Sequence, residues 1–461
     1  MLTRRNLLSS LLAASATTLI PSVTFAALDP NSELAKKRRI PWKNWSGSQI
    51  CYPSARKAPA NIQELQEIVK NATGKVRPVG SGHSFTPLVP TDGTIVSISR
   101  LSGVVSADSN NNTAIIQAGT RLGDIGGPLA NMGQALINMP DIDQQTLAGA
   151  LGTATHGTGA SLGCMSSFVE SLQLVTANGE LIECDAQKNP EIFNAARVNL
   201  GALGVVTQVR MKNMPKYKLK REMSWRPVED ILADAMDLAQ NNRNFEFYYI
   251  PFSGMGFQDV QNITTEPTSS TETLDQNDGA ETLKTLRSAL SWSPTLREFA
   301  LSTYMKSVDD EVVVGNSWDN YATERNVRFN EMEYHLPLEN GIAAFKEIRT
   351  LIERDFHEVF FPMEVRFIKS DDIWLSPFFG RDSMSIAVHR YFNEDYQPLF
   401  KAVEPILQKF GGRPHWGKIN TMEADKLEQH YAHWNDFKEV RRQLDPEGKF
   451  LNPYLKSIFK A

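Results

Sequence analysis

The sequence predicts an α+β fold in two parts, the second built on an antiparallel sheet. Three observations carry this. Between Ile62 and Met211, short strand-like runs alternate with helix-like ones, without the regular spacing of a doubly wound sheet. Within that stretch, Asn178-Gly179 joins two strand-like runs and predicts a tight type I′ hairpin turn. From about Lys216 the texture changes, and strand-like runs such as "EFYYIPF" and "MSIAVHRYF" are separated by helical ones.

In chain order, the first 26 residues, "MLTRRNLLSSLLAASATTLIPSVTFA", carry a twin arginine (Arg4, Arg5), a mildly apolar stretch and small residues before Ala26. They predict an export signal of twin-arginine type, cut after Ala26. The apolar stretch, residues 7–20, is too short and too rich in Ser and Thr to span a bilayer comfortably. This route carries proteins that fold before transport, often around a tightly held cofactor. "NIQELQEIVKNA" then places Ile62, Leu65, Ile68 and Val69 on one helical face. "GTIVSISR" and "NTAIIQAG" read as strands, "SLQLVTANGELIECD" as a hairpin, and Val205 to Val209 as a β-branched run. In the second part, "EPTSSTETLDQNDGAE" (residues 266–281) is polar and weakly apolar and reads as a mobile loop. A helix is expected over about 338–356, followed by strands "MEVRFIK" and "MSIAVHRYF" and a helix "DYQPLFKAVEPILQKF".

A chain of 461 residues, 41% hydrophobic and 22% charged, is long enough for a sizeable core. Its formal charge of −5, with no basic run longer than "KKRR" (residues 36–39), argues against a nucleic-acid partner. Cys51, Cys164 and Cys184 follow no CxxC spacing, so neither a zinc site nor a redox pair is signalled, and one disulfide among them stays open. No other segment has about twenty apolar residues, so no stable membrane insertion is expected.

Four glycine-bearing stretches have the look of a binding surface: "VRPVGSGHS" (76–84), "AGTRLGDIGG" (118–127), "QQTLAGALGTATHGTGA" (144–160) and "LGALGVVT" (200–207). Small residues with free backbone N–H groups can cradle a pyrophosphate, because dipoles aimed at one point stabilise an anion. "GSGHSF" lacks the third glycine of G-x-G-x-x-G, which disfavours a Rossmann site. "GRPHWGKI" (412–419) imitates a P-loop, but Ile419 stands where Ser or Thr would hold magnesium, and Pro414 lacks an N–H. In "MEVRFI", Glu364 and Arg366 share one strand face, and in "SIAVHRYF" so do His389 and Tyr391. These are either structural polar pairs or, with Lys418, the lining of one pocket suited to a polyhydroxylated ligand. His430 and His433 have helical spacing but nothing groups with them, so no metal is expected.

At these residues the chain resembles a family. "GSGHSF", "ATHGTG", "EVR", "HWGK" and "LDPEGKFLNPYL" (444–455) occur in the order found in the vanillyl-alcohol-oxidase type of FAD-linked oxidoreductases. "HWGK" and the ending are specific to its aldonolactone and alditol oxidase branch. The resemblance implies a two-part FAD-binding domain over 40–215, an α+β substrate domain over 216–430, and a C-terminal segment, 431–461, returning to the first. It implies FAD as cofactor, bonded through its 8α-methyl group to His83. It places Arg77, Pro78, Val79, Gly80, Ser81, Gly82 and Ser84 near the flavin or its pyrophosphate. It does the same for Thr146, Gly149, Gly152, Thr153, Thr155, His156, Gly157 and Val206. At the substrate it implies Glu364, Arg366 and Lys418, with His389 beside them. The expected reaction is oxidation of a carbinol of a sugar lactone, alditol or related polyol by hydride transfer to flavin N5. Oxygen or an electron carrier is the expected acceptor, and the periplasm or cell exterior the expected location. A flavin-containing binding protein without turnover is the competing class.

Overall fold

In the computed structural model, which describes residues 39–269, 276–290, 292–322 and 327–461, two small sheets shape the first part of the chain. Ala55–Lys57, Thr94–Ser97 and Val76–Val79 lie side by side as a parallel sheet in that order. The helix Ile62–Asn71 precedes its third strand; Asn61 caps it by accepting from the Glu64 N–H at 2.9 Å, and its apolar face buries Leu65 and Val69. The second sheet is antiparallel and runs Leu181–Asp185, Val169–Val175, Val205–Pro215, Thr113–Gln117, Val104–Asp108. The expected export signal lies outside the described residues.

The hairpin around Asn178-Gly179 is present, but its turn is not type I′. Only Gly179 takes a positive φ (84°), while the Asn178 side chain accepts from Thr176 Oγ1 at 2.6 Å and the Glu180 N–H at 3.0 Å. A side-chain acceptor thus does the work expected of a second left-handed residue.

The second part is one eight-stranded antiparallel sheet. Its order is Glu311–Asn316, Lys218–Pro227, Met255–Thr264, Asn244–Tyr249, Met363–Ile368, Ser383–Tyr391, Phe329–Pro337, Arg413–Pro414. Helices Val228–Asn241, Gly341–Asp355 and Gln397–Lys409 cover one face. Phe247 on the sheet meets Phe345 on a helix, ring centroids 5.6 Å apart. Strand alternation decides what turns the other way: Met363, Val365 and Phe367 are fully buried on the helix side, while Glu364 and Arg366 face opposite.

The loop expected over 266–281 is shorter than its composition suggests. Residues 270–275 lie outside the described set, and Gln276–Leu290 is a helix. Leu283 and Leu286 pack against a small core of Ile250, Met255, Leu301 and Met305, which offsets the polar start of the segment.

The C-terminal helices return to the parallel sheet. The Val76 N–H donates to Lys449 O at 2.9 Å, and Asn452 Nδ2 donates to Pro87 O and Pro90 O at 2.8 and 2.9 Å. Asp445, fully buried, shapes that return by accepting from the N–H groups of Lys449 and Phe450 at 2.7 and 2.8 Å. None of the three cysteines is in a disulfide.

Candidate active site

A cleft opens where the strand Val76–Val79 ends and the helix Leu147–Gly152 begins. Its lining includes the turn Gly80 to Ser84, Thr146 and Val206. Gly80 is required by close approach: a Cβ there would stand 2.2 Å from Thr146 Oγ1. Among the described residues no hydrogen bond uses the N–H groups of Ser81, Gly82, His83 or Ser84, which leaves a run of donors for an anionic or polar ligand. These residues fit a dinucleotide cofactor. His83 is half-buried, and burial, then the charges of Lys418 and Arg121, push its imidazole down to about 4, so it is neutral in ordinary buffers.

The second half of the site is a polar rung across four neighbouring strands. Register places Glu246 opposite Arg366, Tyr248 opposite Glu364, Ser385 opposite Arg366, and Glu331 opposite His389. Because each strand shows every second residue to one face, these side chains meet on the side away from the helices. Arg366 is held by three acidic side chains: Glu246 at 2.7 Å, Asp141 at 3.1 Å, and Glu364 in direct contact. Tyr248 Oη donates to Glu364 Oε1 at 2.8 Å. Lys418 Nζ contacts Glu331 and lies 3.7 Å from Glu333. His389 donates through Nδ1 to Pro362 O at 2.9 Å and turns Nε2 toward Glu331 (3.6 Å) and Glu364 (3.9 Å).

Burial raises the Glu364 carboxyl to about 8, with Asp141, Glu246 and Glu331 adding to it and Arg366 opposing. Burial pulls on Lys418 in the opposite sense, yet Glu331 and Glu333 outweigh it and hold the ammonium above its ordinary value. Behind Lys418 lies a buried layer in which His156 meets Gly157 O through Nδ1 at 2.8 Å and Glu333 through Nε2 at 3.0 Å. His335, fully buried beside this pair, is pushed well below the usual histidine range by burial first. His156, Glu333 and His335 form one group of metal-competent atoms lying within 4.8 Å, and Glu331, Glu364 and His389 another. Lys418 and Arg366 already neutralise much of their negative charge.

The two halves touch. The Phe85 N–H donates to Gly417 O at 2.7 Å, and a Cβ on Gly417 would stand 3.3 Å from Ser84 Oγ. Phe329 stacks on Phe85 on one side and meets His389 edge-on, centroids 5.0 Å apart, on the other. "HWGK" is therefore no phosphate loop: Trp416 is buried and donates to Leu375 O at 2.6 Å, and Lys418 belongs to the polar rung.

Of the residues assigned to the cofactor, Arg77, Pro78, Val79, Gly80, Ser81, Gly82, His83, Ser84, Thr146, Gly149, Gly152, Thr153 and Val206 line the cleft. Thr155, His156 and Gly157 do not. Ala154 takes a left-handed φ of 58° and turns the chain away, so that His156 joins Glu333 and Gly157 fits against Met139 O. Arg77 lines the cleft with its stem only, since its guanidinium donates to Leu88 O, Leu200 O, Gly201 O and Phe450 O. Glu364, Arg366, Lys418 and His389 come together on one face of the sheet, without Tyr391. Sequence reading missed Glu246, Tyr248, Glu331, Glu333 and Asp141. The alternation of acid and apolar residues in "NEMEYHLP" was a signal for two of them.

Comparison with known proteins gives the family. The family profile described as D-arabinono-1,4-lactone oxidase matches residues 209–458, and that of an FAD binding domain matches residues 53–185. The chain is 36% identical to an L-gulono-1,4-lactone dehydrogenase of Mycobacterium tuberculosis, covering 90% of this chain and 98% of that one. It is 30% identical to the L-gulonolactone oxidase of Bos taurus, over 91% and 98%. An alditol oxidase of a Streptomyces species is 25% identical over 90% and 98%. A crystal structure of cholesterol oxidase from B. sterolicum superposes with a TM-score of 0.75 at 17% identity, covering 91% of this chain and 96% of that one, a likeness of fold alone. The chain belongs to the D-arabinono-1,4-lactone oxidase family of FAD-dependent oxidoreductases.

Proposed function

We propose that the chain is an exported FAD enzyme, its flavin bonded to His83, that oxidises a carbinol of a sugar lactone or related polyol. The observation that carries this reading is the rung of Glu364, Arg366, Lys418 and His389 set against the His83 turn. The relatives named as lactone and alditol oxidoreductases support the substrate class. Bound FAD supplies the hydride acceptor at N5. Lys418 and Arg366 stabilise the alkoxide that develops as the carbinol loses its proton, and act strongly because Arg366 is buried and Lys418 largely withdrawn from solvent. Glu364 in its ionised form takes that proton, and Tyr248 fixes the carboxylate's direction. The remaining carboxylates offer acceptors to the substrate's other hydroxyls, which orients the ring or chain.

The test is anaerobic flavin bleaching with L-gulono-1,4-lactone, D-arabinono-1,4-lactone and an alditol. At least one is expected to bleach the flavin, and Lys418→Ala to slow this by about 10²–10³-fold. If none bleaches it, the reading fails. Admitting air then separates the acceptors: prompt return of colour marks an oxidase, and return only with an added carrier a dehydrogenase.

A further inference from the structure

The turn bearing His83 is gripped by a segment that no motif reading singled out, "WKNWSGSQ" (residues 42–49). The Trp45 ring stacks on the His83 imidazole, centroids 5.4 Å apart and planes 23° from parallel. The Trp45 N–H donates to Gly82 O at 2.8 Å. Asn44 Nδ2 donates to Ser84 O at 3.0 Å, and Gln49 Nε2 to Phe85 O at 3.0 Å. Gly82 takes a φ of +72°, and a Cβ there would stand 3.3 Å from Trp42 Cζ2. Three hydrogen bonds, one stack and one close approach thus converge on residues 82–85. Asn44 is itself immobilised, accepting from the Gln49 N–H at 2.9 Å and contacting Ser46 and Ser48.

We infer that Trp42–Gln49 is a clasp whose Trp45 is a positioning residue for His83, holding the imidazole in the orientation that bonds the flavin. The inference rests on the covalent reading given above. Trp45 touches one face of a ring that also lines the cleft, so it fixes the ring plane and leaves the edge nitrogens free to react. Trp45 is in turn held by edge contacts to Phe85 (6.3 Å) and Phe329 (5.2 Å), so it has little freedom to swing away. In attachment, an imidazole nitrogen bonds to the 8α carbon, and one proton leaves from each. The electron pair passes to the isoalloxazine, and dioxygen takes the pair and two protons to give hydrogen peroxide. Pre-orientation of the nucleophile is worth several powers of ten in such a step, and a free imidazole rotor would forfeit part of it.

The test is the covalent fraction of flavin in Trp45→Ala, Trp45→Phe and the unaltered full chain. Each is expressed with its export signal and supplied with FAD. Flavin fluorescence that stays with the chain in a denaturing gel is divided by total flavin absorbance of the native protein. Trp45→Ala is expected to bind flavin yet carry at least tenfold less of it covalently, while Trp45→Phe restores most of the linkage. If Trp45→Ala does not fold, the half-time of attachment after FAD is added to apo Trp45→Leu, which fills the space without a stacking ring, decides. A severalfold lengthening supports the clasp, and an unchanged half-time overturns it. Equal covalent fractions in Trp45→Ala and the unaltered chain also overturn it, alone. Release of all flavin from the unaltered chain overturns the covalent reading as well.

Discussion

Arg77 donates to four carbonyl oxygens drawn from three distant stretches, at Leu88, at Leu200 and Gly201, and at Phe450. A buried carbonyl left without a donor costs about 1–3 kcal/mol. Arg77→Met, which keeps the stem and removes the donors, should therefore lower unfolding free energy by at least about 3 kcal/mol, read as a fall in denaturation midpoint. Glu364 illustrates a different kind of residue, one whose surroundings change its chemistry. Its carboxyl is raised to about 8, above the ordinary value, so near neutrality it is largely protonated. Folding then takes up a proton between the ordinary carboxylate range and about 8, and Glu364's contribution to stability declines as pH rises through that window. Activity runs the other way, because a base must be ionised. kcat/KM should rise with pH through about 8, and the rise should vanish from the residual activity of Glu364→Gln. A pH profile identical in the two proteins would remove Glu364 from the role of base.

Strands in the larger sheet divide their labour by alternation, and this sets what a single change does. Phe367 and Arg366 are neighbours in sequence and point to opposite faces. Phe367 stacks on Phe245 with centroids 5.6 Å apart in the buried core. Phe367→Ala should cost about 3–5 kcal/mol in urea unfolding while kcat of the folded fraction stays near the parent's. A kcat collapse without loss of stability would contradict the division. The same alternation explains which parts of the site were legible beforehand. "MEVRFI" announces an acid and a base on one face within a single strand, and that is a local property. Which residues stand across from them is a matter of register, set by strand pairing between segments more than a hundred residues apart, as with Glu246 opposite Arg366. The alternation in "FEFYYIPF" therefore puts Glu246 and Tyr248 on one face without saying what they meet, and Asp141 reaches Arg366 from a loop. "ATHGTG" reads as a glycine turn, and the left-handed Ala154 carries His156 beneath the polar rung to Glu333, a placement set by tertiary structure. The loop reading of residues 266–281 weighed composition alone, whereas Leu283 and Leu286 had a tertiary partner in the core around Met305.

Over the whole molecule, residues from Pro41 to Ala461 form one compact unit, and both faces of the site draw on it. The export proposed above concerns the whole molecule, because the twin-arginine route carries folded protein. Arg4→Lys with Arg5→Lys should leave the precursor uncut in the cytoplasm, detected by intact mass and cell fractionation. Cutting after Ala26 in that variant would count against the route. The return of residues 449–452 to the parallel sheet has a further consequence, for biosynthesis. The walls of the cleft come from Trp42 and from residues 77 to 206, whereas Lys449 O and Phe450 O complete the bonding of Val76 and Arg77 beneath them. A chain still on the ribosome makes most of the cradle early and lacks its last support until codon 450 has been read. Flavin capture is therefore expected to follow translation, and a premature stop shortly before that codon should yield a colourless polypeptide rather than a slow enzyme.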